Sequence, residues 1–143
     1  MTATTATRTK PAACLYMLIV SGLLLNAGPV AAGEKDMSQE YLTCINKSNG
    51  VTSEMLGCIS AEYDRQDARL NENYKRLMSK LSPKRREGLL EAQRAWLKFR
   101  DANCSFYYDP EGGSAAHLAG TDCTLNATAE RATELEDLMP PLE

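Results

Sequence analysis

Met55, Leu56, Ile59, Tyr63, Asp67, Leu70, Tyr74, Leu77 and Leu81 recur at intervals of three and four residues, which puts them on one face of a helix running to about Leu81. Thr52 or Ser53 is placed to cap its start. Ser82-Pro83 then interrupts the pattern, since serine suits a cap and proline the first helical position, and a second long helix is predicted from Pro83 to about Tyr107. On that helix Gln93, Leu97, Arg100 and Cys104 form one stripe, with Leu90 extending it backwards and Trp96 on its border. The other face carries Ala92, Ala95, Phe99, Ala102 and Phe106. Apolar residues on both sides predict that this helix is covered on both and lies in the middle of the fold.

Shorter elements flank these two. Gln39 to Lys47 reads as a short helix, closed by Ser48-Asn49-Gly50 with a glycine suited to a left-handed cap. Asp109-Pro110-Glu111-Gly112-Gly113 breaks the second long helix, and Ser114 is placed to cap a short turn up to Gly120. A last helix uses Leu125, Thr128, Ala132, Leu135 and Met139 as its inner face and stops before Pro140-Pro141. No alternating pattern of strand type competes, and no internal repeat is present. The expected fold is all-α, a small disulfide-stapled helical bundle with two long antiparallel helices plus shorter N- and C-terminal helices.

Two long helices joined by a tight turn run antiparallel with their levels matched about the turn, so facing residue numbers sum to about 165. Asp67 comes level with Arg100 and Asn71 with Gln93. An arginine in an inner stripe needs a partner, which predicts a buried Asp67–Arg100 ion pair.

The start of the chain has a different character. Arg8 and Lys10 precede an apolar run from Cys14 to Leu25, and Val30-Ala31-Ala32 supplies small residues for cleavage. The run is short for the roughly 20 residues of a membrane span, so residues 1–32 read as a signal peptide and residues 33–143 as one domain. No cysteine follows that point in the setting a lipidated leader needs. Loss of Arg8 and Lys10 would leave 14 basic residues against 19 acidic, a formal charge of −5 instead of −3. An acidic chain is a poor match for nucleic acid and leaves room for a basic protein partner; no membrane association is expected after cleavage. Cys44, Cys58, Cys104 and Cys123 remain, an even number that reads as two disulfides in an exported protein. Cys58 points off the inner stripe and Cys104 along it, which favours the local pairing Cys44–Cys58 and Cys104–Cys123. Matched levels also allow Cys58–Cys104.

Catalytic chemistry finds little support in the residues. His117, the only histidine, lies near Ser114, yet serine hydrolysis also needs an orienting carboxylate and an oxyanion hole, and no pattern supplies them. Cysteine spacings of this kind do not make a compact metal site, and no cofactor or metal is expected. Glu62 and Asp64 read as solvated charge on an outer helix surface. Trp96 and Phe99 read as core. The connection from Asp109 to Asp122 is glycine-rich and acidic at Asp109, Glu111 and Asp122, carries Ser114 and His117, and is tied by a cysteine, which makes it the candidate binding element.

Glu62-Tyr63, Asp67, Leu70-Asn71 and Tyr74, followed by Gln93-Arg94-Ala95-Trp96, Phe99-Arg100-Asp101-Ala102 with Cys104, then Gly112-Gly113-Ser114 and Cys123, resemble the lysozyme-inhibitor LprI-like N-terminal family over roughly residues 40–138. That resemblance implies an exported, helical bacterial protein whose partner is a basic lysozyme-like glycan hydrolase. It implies inhibition, and with no catalytic constellation in the residues the expected mode is occlusion of the glycan cleft by a non-enzymatic binding protein. The alternative is a non-enzymatic protein of the cell envelope, or a neutraliser of another wall-directed toxin.

Overall fold

The computed structural model describes residues 36–139; the predicted leader at 1–32 lies outside them. Four helices account for nearly all of this span: α1 (Gln39–Lys47), α2 (Thr52–Lys80), α3 (Pro83–Tyr107) and α4 (Gly113–Asp137). No strand occurs among the described residues. Disulfides join Cys44 to Cys58 and Cys104 to Cys123, the local pairing, so one clamps α1 to α2 and the other α3 to α4.

The ends of the helices follow local chemistry. Ser38 caps α1, its Oγ accepting from the Tyr41 amide at 3.1 Å. The α1–α2 turn is left-handed at Asn49 (φ 48°) and Gly50 (φ 79°), the conformation that glycine adopts without penalty. Val51, rather than Thr52 or Ser53, is the N-cap residue of α2, with no side-chain cap bond. Pro83 opens α3 as the sequence predicts.

The middle helix is α4, not α3. It packs along α2 over much of its length and against α3, while α2 and α3 barely touch one another. The helix is also longer than predicted, one continuous element from Gly113 with no break at Gly120. Gly120 is buried inside it, where the Tyr108 ring lies so close that a Cβ would run into it. The glycine is therefore a contact point for an aromatic ring and not a helix stop. Small residues explain why α4 takes the centre: Thr128, Ala129 and Ala132 are almost wholly buried and let neighbouring backbones come near.

The core joins Leu70 and Leu77 of α2 to Ala132 and Leu135 of α4, with Tyr74, Leu81, Leu89, Trp96 and Met139 packed around it. Each fully buried leucine contributes about 2 kcal/mol by removal from water. In contrast α3 buries only Gln93 and Cys104, and the face expected to be covered is open: Phe99 is 64% and Phe106 85% exposed. Having α4 as a neighbour on one side only, α3 has nothing to lay over that face. Phe99 is thus not core, whereas Trp96 is partly buried against it.

The buried face of α2 is rotated from the predicted one. Besides Cys58, Ile59, Leu70 and Leu77 it buries Glu62, Gln66 and Asn73 in place of Tyr63 and Asp67. Each buried polar group is satisfied, which is what permits its burial. Asn73 donates to the Ala132 carbonyl at 2.9 Å, and Gln66 to the Asp36 carbonyl at 2.8 Å. The predicted Asp67–Arg100 pair does not form. Asp67 accepts from Asn71 on its own helix at 2.9 Å, and Arg100 bonds Asp101 at 2.8 Å and Thr128 of α4 at 3.3 Å. Level matching assumed that α2 faces α3; with α4 packed against both helices, Arg100 turns to α4.

Candidate functional site

The corner between α3 and α4 is five residues long, Tyr108 to Gly112. Its backbone is closed by Asp109, whose carbonyl accepts from the Gly112 amide at 3.0 Å and whose Oδ1 accepts from the Glu111 amide at 2.9 Å. Short aspartate turns of this kind hold their shape through the side chain's own bonds. Two further ties fix the corner to α4. The Cys104–Cys123 disulfide is one, and Tyr108 is the other, its ring on Gly120 and its hydroxyl 3.1 Å from Thr121 Oγ1. His117 stands edge-on to Tyr108 with ring centroids 5.6 Å apart.

Two kinds of chemistry face outward from this frame. Asp109 and Glu111 are exposed carboxylates. Next to them Phe106 and Tyr107 stand edge to face at 5.9 Å, 85% and 48% exposed. Ser114 and His117, predicted in a loop, sit exposed in the first two turns of α4. Asp122, predicted as the third acid of the connection, is not with them. Because α4 is helical from Gly113, Asp122 is turned towards α1 and α2, lining a cavity of about 340 Å³ with Tyr41, Ile45, Met55, Ile59 and Leu118. Burial there pushes its carboxyl above the ordinary aspartate value, and the bond from Asn126 at 2.9 Å offsets only part of that.

Two buried charged groups escaped the sequence reading. Arg131 of α4 donates from Nε to Gln93 Oε1 at 3.0 Å and from Nη1 to Glu134 at 2.6 Å, and its guanidinium lies 5.8 Å from the Trp96 ring. Arg100 sits 5.2 Å from the same ring, so the single tryptophan is held in a cationic seam between α3 and α4. Asn71, expected opposite Gln93, stays on α2 with Asp67. The signal for Arg131 was its place one residue before Ala132 on a helix whose inner stripe was already drawn.

Glu62, read from sequence as solvated, is the second. It is fully buried and accepts from the Ser38 hydroxyl at 2.6 Å, Arg65 Nε at 2.7 Å, Gln66 Nε2 at 2.8 Å and the Ser38 amide at 2.9 Å. Burial alone would raise its pKa; the four donors outweigh it and leave the carboxyl below its ordinary value. Its periodicity was legible, since residues 59, 62, 66, 70, 73 and 77 share a face, but its polarity argued the other way. Among the described residues no three of His, Cys, Asp and Glu come together as a metal site.

Comparison with known proteins adds a family. A relative in Rhizobium meliloti (strain 1021), an uncharacterized protein, is 30% identical over 100 residues, an alignment covering 60% of this chain and 72% of the relative. No solved structure matches the chain. The family model described as Lysozyme inhibitor LprI matches residues 44–135, a span that takes in both disulfides, the Arg131–Trp96 seam and the whole α3–α4 corner. On that match the chain belongs to the LprI lysozyme inhibitor family.

Proposed function

We propose that the chain is an exported inhibitor of a lysozyme-like muramidase, and that the α3–α4 corner is the element it places in the glycan cleft. The observation that carries this reading is the joining of two exposed carboxylates on the turn, Asp109 and Glu111, to two exposed rings at the end of α3, Phe106 and Tyr107, beside a disulfide that fixes both to α4. Aromatic side chains, Tyr and Phe among them, are enriched at the centres of protein interfaces, and acids steer a partner whose cleft is cationic. A turn already ordered loses little entropy on binding, so its contacts count more fully towards affinity. The leader predicted at residues 1–32 supports export to the periplasm or beyond, where such hydrolases act.

A turbidity assay of muramidase with residues 33–143 tests the reading. The expected result is dose-dependent inhibition that weakens by about tenfold or more in Phe106→Ala, the size of a modest interface hot spot. Asp109→Asn with Glu111→Gln should slow association at low salt and matter less at high salt. No inhibition by the unmutated chain would move the function to another partner in the cell envelope. Inhibition unchanged by all three substitutions would remove the corner from the interface.

A further inference from the structure

The opposite end of α3 carries charge that its surroundings do not balance. Lys75, Arg76, Lys80, Lys84, Arg85 and Arg86 are all exposed, and the sequence from Lys75 to Arg86 contains no acid. Three of the six stand in the first turn of α3, at the positive end of the helix dipole, where carboxylates stabilise and cations do the reverse; that turn has no acid. None of the six belongs to the ion pairs formed among the described residues. Arg86 bonds only the Leu81 carbonyl at 2.9 Å, and Arg76 reaches Asn73 Oδ1 at 3.5 Å. Among the described residues the flanking acids are Glu72 and Glu87 along the chain and Glu136 and Asp137 at the end of α4; Arg69 holds Glu136 at 2.9 Å, and of the six cations Arg76 also acts on that carboxylate at longer range. Lys80 in the last turn of α2 suits that helix's dipole, but the three α3 cations break the rule with no ion pair to offset them, and a local rule broken in this way marks a surface that meets something else.

Apolar surface opens at the same end. Leu77, Leu81, Gly88, Leu89 and Leu138 line a cavity of about 310 Å³ together with Arg85, and Leu138 is 52% exposed. A water-soluble polyanion would answer the cations and leave the cavity empty. A neutral apolar ligand would do the converse. A layer of phosphates with glycerol and acyl chains directly beneath it answers both.

We propose that the α2–α3 turn docks this protein on an anionic phospholipid surface, with the six cations against the phosphates and the Leu81–Leu138 region against the apolar layer under them. The binding is peripheral and departs from the sequence-based expectation of no membrane association; no helix among the described residues is long and apolar enough to cross a membrane. Each cation brought to such a surface strengthens adsorption by about fivefold at physiological salt. The 25 residues of α3 span about 37 Å, so the docked molecule holds the Phe106–Glu111 corner at the far end from the lipid.

Co-sedimentation of residues 33–143 with vesicles of phosphatidylglycerol or of phosphatidylcholine tests this. Adsorption to the first and not the second is expected, falling steeply between low and high salt. Lys84→Gln, Arg85→Gln and Arg86→Gln together should weaken it on the order of 100-fold, with the helical circular dichroism signal unchanged. Leu138→Ser should weaken it severalfold. Muramidase inhibition in solution should be the same in all these variants, so that failure here and failure of the inhibitor reading are separable. Equal sedimentation with both lipids, or no effect of the triple substitution, overturns the proposal. Binding to single-stranded RNA as tight as to vesicles and indifferent to Leu138→Ser would assign the end to soluble polyanions instead, and self-association abolished by Leu138→Ser would assign it to a second copy.

Discussion

Arg131 of α4 donates to Gln93 of α3 at 3.0 Å, and both side chains are buried where they meet. Together with the Cys104–Cys123 disulfide and the Arg100–Thr128 bond, it ties α3 to α4, where the predicted hairpin had α3 tied to α2. Truncating Arg131 strands the Gln93 amide and removes a cation from the Trp96 ring, so Arg131→Ala should cost about 3 kcal/mol. Asp67→Ala loses only a bond to Asn71 within α2 and should fall within about 0.5 kcal/mol of the unmutated protein. Urea melts followed by the fluorescence of Trp96, the only tryptophan, measure both. Equal costs would mean that the α3–α4 seam is no more than surface.

Glu62 should make the fold acid-sensitive in a defined window. Its carboxyl titrates below the ordinary value of 4.5 in the folded protein, so its contribution is complete above about that pH and is lost as pH falls through the lower folded value. Thermal melts of the protein and of Glu62→Gln should therefore differ most at neutral pH and converge as pH falls through the lowered folded value. Persistence of the full difference at low pH would show that the substitution acts through packing instead of charge.

Asp122 should behave in the opposite sense. Burial beside the Tyr41–Met55 cavity raises its pKa above the ordinary 3.8, so its ionisation destabilises the fold as pH rises through the raised value. Asp122→Asn keeps an acceptor for Asn126 and removes the buried charge. The variant should melt higher than the parent at pH 7 and at the same temperature near pH 3. A lower melting temperature at pH 7 would mean that the ionised carboxylate has a partner in solution.

Much of this architecture was legible because it is written in local chemistry. Gln39–Lys47 and Pro83–Tyr107 end where cap, glycine and proline signals put them, and the disulfides close the two local loops that the directions of Cys58 and Cys104 on their helices favoured. The arrangement of the helices was not legible, for a physical reason. Alanine, threonine and glycine on α4 carry a weak hydrophobic signal, yet their smallness is what lets that helix sit against both neighbours. Glu62, Gln66 and Asn73 were hidden for a related reason: a pattern of polarity assigns them to water, and only partners from other segments, Ser38, Asp36 and Ala132, make their burial favourable. At the candidate site the acids Asp109 and Glu111 could be read directly. The separation of Asp122 from them could not, because it depends on α4 beginning at Gly113.

Gly120 leaves room for the Tyr108 ring, and Gly120→Ala would drive the ring off α4 and free the turn that carries Asp109 and Glu111. Alanine is the better helix former by about 1 kcal/mol, so in the absence of that contact the substitution would stabilise α4. Loss of the ring's packing should reverse the sign and lower the melting temperature. Cys104→Ser with Cys123→Ser removes the other tie and should cost about 3 kcal/mol for a loop of this length. If a fixed corner is what the partner recognises, Gly120→Ala should weaken muramidase inhibition at a temperature where circular dichroism shows the helices intact, because the turn must then be ordered on binding. Inhibition at full strength by a folded Gly120→Ala protein would show that the Tyr108 contact serves stability alone.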